Sequence, residues 1–151
     1  MNRLAFAAAI AAVLTATPAL ADDKGREVAA VMTEYVKLWN AGDAGAITSR
    51  IYRFDSPNPM GDKAGLEAQF AQLKKEGYDH SETQAIEACV IGPNQAMAEM
   101  RYTRLKTDGT PLGPKDRAGL YLLRKFPEGW RITRIVGMSA SADLTCRSAA
   151  E

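Results

Sequence analysis

VAAVMTEYVKLWNAGD, residues Val28 to Asp43, is the stretch whose reading decides the fold. Val28, Val31, Met32, Tyr35, Leu38 and Trp39 fall on one stripe of a 3.6-residue period, so the spacing predicts a half-buried helix. Asn40-Ala41-Gly42 stops it, with Gly42 suited to the left-handed position after the last turn, and Asp43 is placed to cap a second helix. An aromatic stripe that ends in a tight helix-to-helix corner points to a small fold with a ligand-sized interior. It does not name a reaction.

Upstream, residues 1–21 have the pattern of a cleaved signal peptide. Arg3 supplies the positive charge, Leu4 to Leu14 is an apolar run too short to span a bilayer, and Ala19-Leu20-Ala21 is a small-x-small cleavage site. A retained anchor is the competing reading, and no stop-transfer stretch supports it. The expectation is a periplasmic or secreted protein, cleaved after Ala21, with no membrane contact thereafter.

The remaining residues, 22–151, suffice for one domain with one core. Its limits are expected at 22–138, followed by a small polar tail at 139–151. Without Arg3 the Lys and Arg residues fall from 19 to 18 and balance 18 Asp and Glu. A neutral chain lacks the basic stripe that a nucleic-acid or anionic-membrane partner requires. Lys74-Lys75, followed at once by Glu76, reads as a solvated helix face.

Two cysteines, Cys89 and Cys146, would enter an oxidising compartment. A bridge between them would close a loop of nearly sixty residues, contributing about 4 kcal/mol on a chain-entropy argument. The alternative makes Cys89 a buried strand residue and leaves Cys146 free. No Cys-x-x-Cys motif supports redox catalysis.

Along the chain, Asp43 to Ile51 predicts a short second helix and Tyr52-Arg53-Phe54-Asp55 a strand. Two prolines make Ser56 to Gly61 a loop. Asp62 caps a third helix carrying Leu66, Phe70 and Leu73, which Gly77 ends. From Tyr78 the period changes to two. Strands are expected around Ile86 to Val90 and Ala96 to Tyr102, then a nearly continuous apolar strand from Gly119 to Phe126 and a last one from Trp130 to Val136. Helices followed by hairpin-linked strands give an α+β class, with an antiparallel sheet packed on one face by helices.

With these elements in this order, the chain resembles the nuclear-transport-factor-2-like superfamily, which includes ketosteroid isomerase and SnoaL-like polyketide cyclases. The resemblance is carried by Glu34-Tyr35-Val36-Lys37-Leu38-Trp39-Asn40-Ala41-Gly42-Asp43, by Ala46-Ile47, by Phe54-Asp55 and by Gly129-Trp130-Arg131-Ile132. It implies a cone: a strongly bent sheet wrapped around the N-terminal helices, open at one end to a small apolar or amphipathic molecule. The fold hosts isomerases, cyclases, binding modules and structural subunits alike.

The isomerase pattern of that family can be laid on this chain residue by residue. Tyr35 matches its oxyanion-hole tyrosine, Asp55 is the counterpart of its general base, and Tyr121 falls near its second oxyanion donor, where no carboxylate stands. The resemblance further implies a cone lined by Trp39, Phe70, Met100, Tyr102 and Arg104. Bland readings compete: Tyr35 and Trp39 as core residues, Asp55 as the start of a turn, His80 at the surface, and Arg104 and Arg134 in strand-face salt bridges rather than reaching a ligand carboxylate. No cofactor is expected. One histidine and two distant cysteines do not make a metal site, and neither a phosphate loop nor a Gly-x-Ser-x-Gly turn is present. The leading expectation is therefore an exported, metal-free small-molecule-binding domain. An enzyme using Asp55, Tyr35 and Tyr121, and a structural module whose cone is filled by Phe70, Met100 and Tyr102, are the alternatives. The outer face of the bent sheet is expected to pair two copies into a homodimer.

Overall fold

The computed structural model describes residues 23–142. Helix α1 spans Asp23–Ala41 and buries Val28, Met32, Tyr35, Leu38 and Trp39, with Val31 half-buried beside them. Gly42 takes φ +65, the left-handed position that stops the helix, and Asp43 accepts a hydrogen bond from the Ala46 N–H at 2.8 Å.

The expected second helix forms in two parts. A single α turn, α2 (Ala44–Ala46), runs into a wide π turn at Ile47–Ile51. The hydroxyls of Thr48 and Ser49 donate to the carbonyls of Ala44 and Gly45 at 2.8 and 2.7 Å. These side chains compete for acceptors the backbone would otherwise use, and the Tyr52 N–H bonds five residues back to Ile47 O at 2.9 Å. Ile47 and Ile51 stay buried.

Tyr52 to Asp55 is extended, yet it does not join the sheet as a strand. Tyr52 makes one parallel bridge to Ile132, and the N–H groups of Arg53 and Asp55 donate to Ile132 O and Thr133 O. The turn that begins at Ser56-Pro57 ends the pairing after those contacts, so the expected strand is reduced to a bridge. Helix α3 (Lys63–Lys75) follows the Asp62 cap and buries Leu66, Phe70 and Leu73. Gly65, in its first turn, sits against the Pro59 carbonyl, where a Cβ would lie 1.7 Å from the oxygen.

Four antiparallel strands complete the domain: β1 (Tyr78–Gly92), β2 (Gln95–Lys106), β3 (Arg117–Phe126) and β4 (Gly129–Met138), paired in chain order. The registers Ala88↔Ala98↔Tyr121 and Ala96↔Leu123↔Ile132 put these side chains on the face that α1 covers. Strand β3 alternates rather than reading as one apolar run. Tyr121 and Leu123 are buried, while Leu120 and Leu122, on the other face, are only half-buried. Register shifts at Tyr78/His80, Thr83/Ala85 and Val90/Gly92 bend β1, and another at Leu122/Leu123 bends the β3–β4 pair. The sheet therefore curves around α1. Complete burial of Met32, Ile47, Leu66, Leu123 and Ile132 stabilises this core by roughly 1.5–3 kcal/mol per side chain.

Candidate functional site

Helix α1 is fastened to the sheet at both ends. Near its start, Glu27 accepts from Lys125 Nζ at 2.7 Å and from Trp130 Nε1 at 2.9 Å. Hydrogen bonds from these two groups hold the Glu27 carboxyl below its usual range. At the other end, Asn40 Nδ2 donates to Ser81 O, and Asn40 Oδ1 accepts from the Ser81 N–H, both at 2.9 Å. The Tyr78 hydroxyl completes this clamp, 3.2 Å from Asn40 Oδ1 and 2.9 Å from Ser81 Oγ.

Between the clamp and the middle of the sheet lies a cleft. Its walls are Tyr35, Val36 and Trp39 of α1, Ser81 and Thr83 of β1, Met100, Tyr102 and Arg104 of β2, and Tyr121 of β3. About 320 Å³ is unfilled and runs out to solvent, but the room open to the centre of a water molecule is only about 30 Å³. One water needs roughly 10–15 Å³ on that measure, so the cleft as it stands suits a small planar group rather than a sterol-sized body.

The floor is a cluster of tyrosines. Tyr52 donates its hydroxyl hydrogen to Tyr35 Oη at 3.0 Å, and the Tyr35 ring lies 5.7 Å from those of Trp39, Tyr52 and Tyr121. Burial drives the Tyr35, Tyr52 and Tyr121 hydroxyls well above the ordinary phenol range, so all three stay protonated at neutral pH. Gly119 gives Tyr121 its place: a Cβ there would sit 3.1 Å from Tyr121 Cε2 and 3.2 Å from its hydroxyl.

Arg104 is the one cation of the wall among the described residues. Its guanidinium carbon stands 5.9 Å from the ring centres of both Trp39 and Tyr102, at the outer range of a cation–π contact. Its Nε is buried without a hydrogen-bond partner. Among the described residues, no carboxylate or histidine lines the wall.

Of the residues read from sequence, the structure brings Tyr35, Trp39, Met100, Tyr102, Arg104 and Tyr121 together in this cleft. Phe70 does not line it; its ring packs edge-on behind Trp39 at 4.9 Å and props that wall. Asp55 is elsewhere. Tyr52 and Phe54 turn inward with rings 4.6 Å apart, so alternation sends Arg53 and Asp55 outward. Arg53 pairs with Glu128 at 2.9 Å, and the Asp55 carboxylate lies 3.5 Å from Arg124, beside the 54–62 loop. A base there cannot reach a substrate held against Tyr35 and Tyr121. His80 is a surface residue bonded to Asp79 at 2.7 Å, and Arg134 is exposed. Cys89 lies on the outer face of β1, opposite Met97, while Cys146 falls outside the described residues.

Three residues at or under the cleft escaped the sequence reading. Ser81 sits in the polar run Asp79 to Glu82 that reads as an exposed strand start, and the Asn40 clamp folds it against α1, with Thr83 two residues on. Tyr52 supports Tyr35 from seventeen residues away, a contact that no local period announces.

Residues 26–140 match the family model described as NTF2-like protein (DUF6841), and the chain belongs to that family. Among solved structures it is similar to an NTF2-like protein with a cystatin-like fold from Novosphingobium aromaticivorans, at 18% identity and a TM-score of 0.59, with 85% of this chain and 90% of that one covered. A ketosteroid isomerase-like protein from Erwinia carotovora atroseptica matches at 18% identity and a TM-score of 0.54, covering 76% of this chain and 94% of that one. An NTF2-like superfamily protein from Salmonella enterica serovar Typhimurium gives 17% and 0.54, covering 80% and 94%. At these identities the likeness establishes the fold and nothing finer. No curated protein sequence matches the chain.

Proposed function

We propose, with membership of the NTF2-like family as the premise, that this protein is an exported binding domain whose cleft takes a small molecule. The observation that carries the reading is the cleft itself: aromatic walls from α1, β2 and β3 enclose unfilled space that opens to solvent beside polar groups of β1. Met100 and Tyr102 line this space rather than fill it, which speaks against a purely structural module. The isomerase alternative lacks a base, because Asp55 stands outside the cleft and no other carboxylate among the described residues lines it.

A thermal-shift screen of the protein with small aromatic and aliphatic compounds, acidic and neutral, tests this reading. Binders should raise the melting temperature, and Val36→Trp, which fills the cleft, should abolish the rise. No shift with any compound, or equal shifts in the variant, would remove the cleft as the site.

Export rests on the signal-peptide pattern of residues 1–21, and a Cys89–Cys146 bridge belongs with it. The strand order sets β1 far from β4, which is the geometric objection to that bridge. Against the objection, Arg101 on the outer face of β2 donates from Nη1 to Ala140 O and from Nη2 to Ala142 O. The chain after β4 is thus already drawn back toward β1. The homodimer would use the same outer face further along, where Leu120 and Leu122 are half-buried and Val136 is 41% exposed. Sedimentation equilibrium at micromolar concentration would show a monomer only if that pairing is wrong.

A further inference from the structure

Arg104 points to what the cleft holds. Arginine carries five N–H donors and is charged at any physiological pH, so a half-buried guanidinium whose Nε is shut off from water calls for an acceptor, preferably an anionic one. Among the described residues, Arg26, Arg50, Arg53 and Arg124 each pair with a carboxylate near the surface. Arg104 has no such ion pair; it rests between the Trp39 and Tyr102 rings with its Nε buried and unbonded. Ring contacts at 5.9 Å satisfy the charge in part and leave the buried Nε–H unanswered. Burying an unanswered donor is costly, and natural sites answer it.

The surroundings fix the sign and the size of the missing acceptor. Among the described residues the cleft wall holds no acidic side chain, so Arg104 gives it a net positive field. That field reaches the Tyr35, Tyr78 and Tyr121 hydroxyls and offsets a little of the burial penalty on their ionisation. All three remain neutral O–H groups, and an anion at Arg104 would find donors and no competing negative charge. The remaining wall is apolar: Val36, Trp39, Met100 and the faces of Tyr102 and Tyr121. With about 30 Å³ open to water centres, the group beside Arg104 must be compact and flat. A carboxylate has the planar, bidentate shape that a guanidinium fork matches.

We propose that the cleft binds a small monocarboxylic acid, its carboxylate on the Arg104 guanidinium and its apolar remainder against Trp39, Met100 and Tyr102. This rests on the binding reading above and narrows it to one ligand class. It also gives Arg104 a role that the isomerase pattern does not contain.

The test titrates the protein with acetate, butyrate and benzoate, and with benzamide as the neutral counterpart of benzoate. Binding is followed by Trp39 fluorescence and by the Arg104 Nε–H resonance in nitrogen-15 spectra. Butyrate or benzoate should saturate the site and shift the Nε–H resonance downfield. Benzamide should bind at least tenfold more weakly than benzoate. Arg104→Gln should weaken benzoate at least tenfold while leaving benzamide unchanged, and Arg104→Lys should recover only part of the loss, since an ammonium lacks the fork. Should Arg104→Gln not fold, the Nε–H shift in the unaltered protein still decides. Equal affinity for benzoate and benzamide, or binding that leaves the Nε–H resonance in place, would overturn the acid assignment while keeping the cleft as a binding site. Failure of every acid and of benzamide to bind would overturn both.

Discussion

Replacing Asn40 by alanine separates two accounts of the helix-to-helix corner. If Asn40 were only an exposed residue in the last turn of α1, alanine would be neutral or better, by up to ~0.5 kcal/mol on helix propensity. In the structure it bonds both backbone groups of Ser81 at 2.9 Å and accepts from the Tyr78 hydroxyl at 3.2 Å. Ser81 and Tyr78 are each only 9% exposed, so water replaces these bonds poorly. Two lost backbone bonds at ~0.5–1.5 kcal/mol each, less the propensity gain, leave a net loss of about 1–2 kcal/mol. For a domain of this length that lowers the melting temperature by roughly 4–8 °C. Urea unfolding should show a lower midpoint with an unchanged slope, because the change removes contacts without altering the area exposed. A variant as stable as the parent, or more stable, would refute the clamp.

Gly65→Ala should destabilise by about 2 kcal/mol in a thermal melt, although glycine-to-alanine in a helix normally gains ~1 kcal/mol, because the new Cβ would meet Pro59 O at 1.7 Å; a stabilised variant would contradict the loop packing. Raised folded pKa values for Tyr35, Tyr52 and Tyr121 mean that their contribution to stability is intact below the ordinary phenol value of 10.0 and is lost as pH rises beyond it. Ultraviolet titration should therefore find these three tyrosines un-ionised until alkaline unfolding, and gradual ionisation of all five near pH 10 would show that they are solvated. If Cys89 and Cys146 are bridged, reduction should cost up to ~4 kcal/mol and several degrees of melting temperature, whereas two titratable thiols in unreduced protein would show no bridge.

The scaffold was legible because its signals are local. The Val28-to-Trp39 stripe, the Gly42 stop, the Asp43 and Asp62 caps and the period-two strands each depend on neighbours in sequence, and each formed as read. The failures share one cause, competition from contacts that sequence spacing does not display. Hydroxyls of Thr48 and Ser49 widened the second helix, and the Ser56-Pro57 turn cut the Tyr52 segment down to a bridge. Asp55 matched a catalytic position in order along the chain, but alternation from the buried Tyr52 turned it toward Arg124. Phe70 read as a cleft wall because it is apolar and on the right helix face; Trp39 stands in front of it. Arg104 was legible as a cone-lining cation able to reach either a ligand carboxylate or a strand-face salt bridge, and no spacing in the sequence separates the two. Its value lies in what it lacks nearby, a property of the folded surface rather than of any motif.

A crystal structure of the mature protein, purified from a host that exports it and soaked with benzoate, tests the central claim most directly. The account predicts density for the acid between Trp39 and Tyr121, with both carboxylate oxygens within hydrogen-bond distance of the Arg104 guanidinium and the tyrosine floor unmoved. A cleft closed by its own side chains, with Arg104 turned out to solvent and no density beside Trp39, would contradict it.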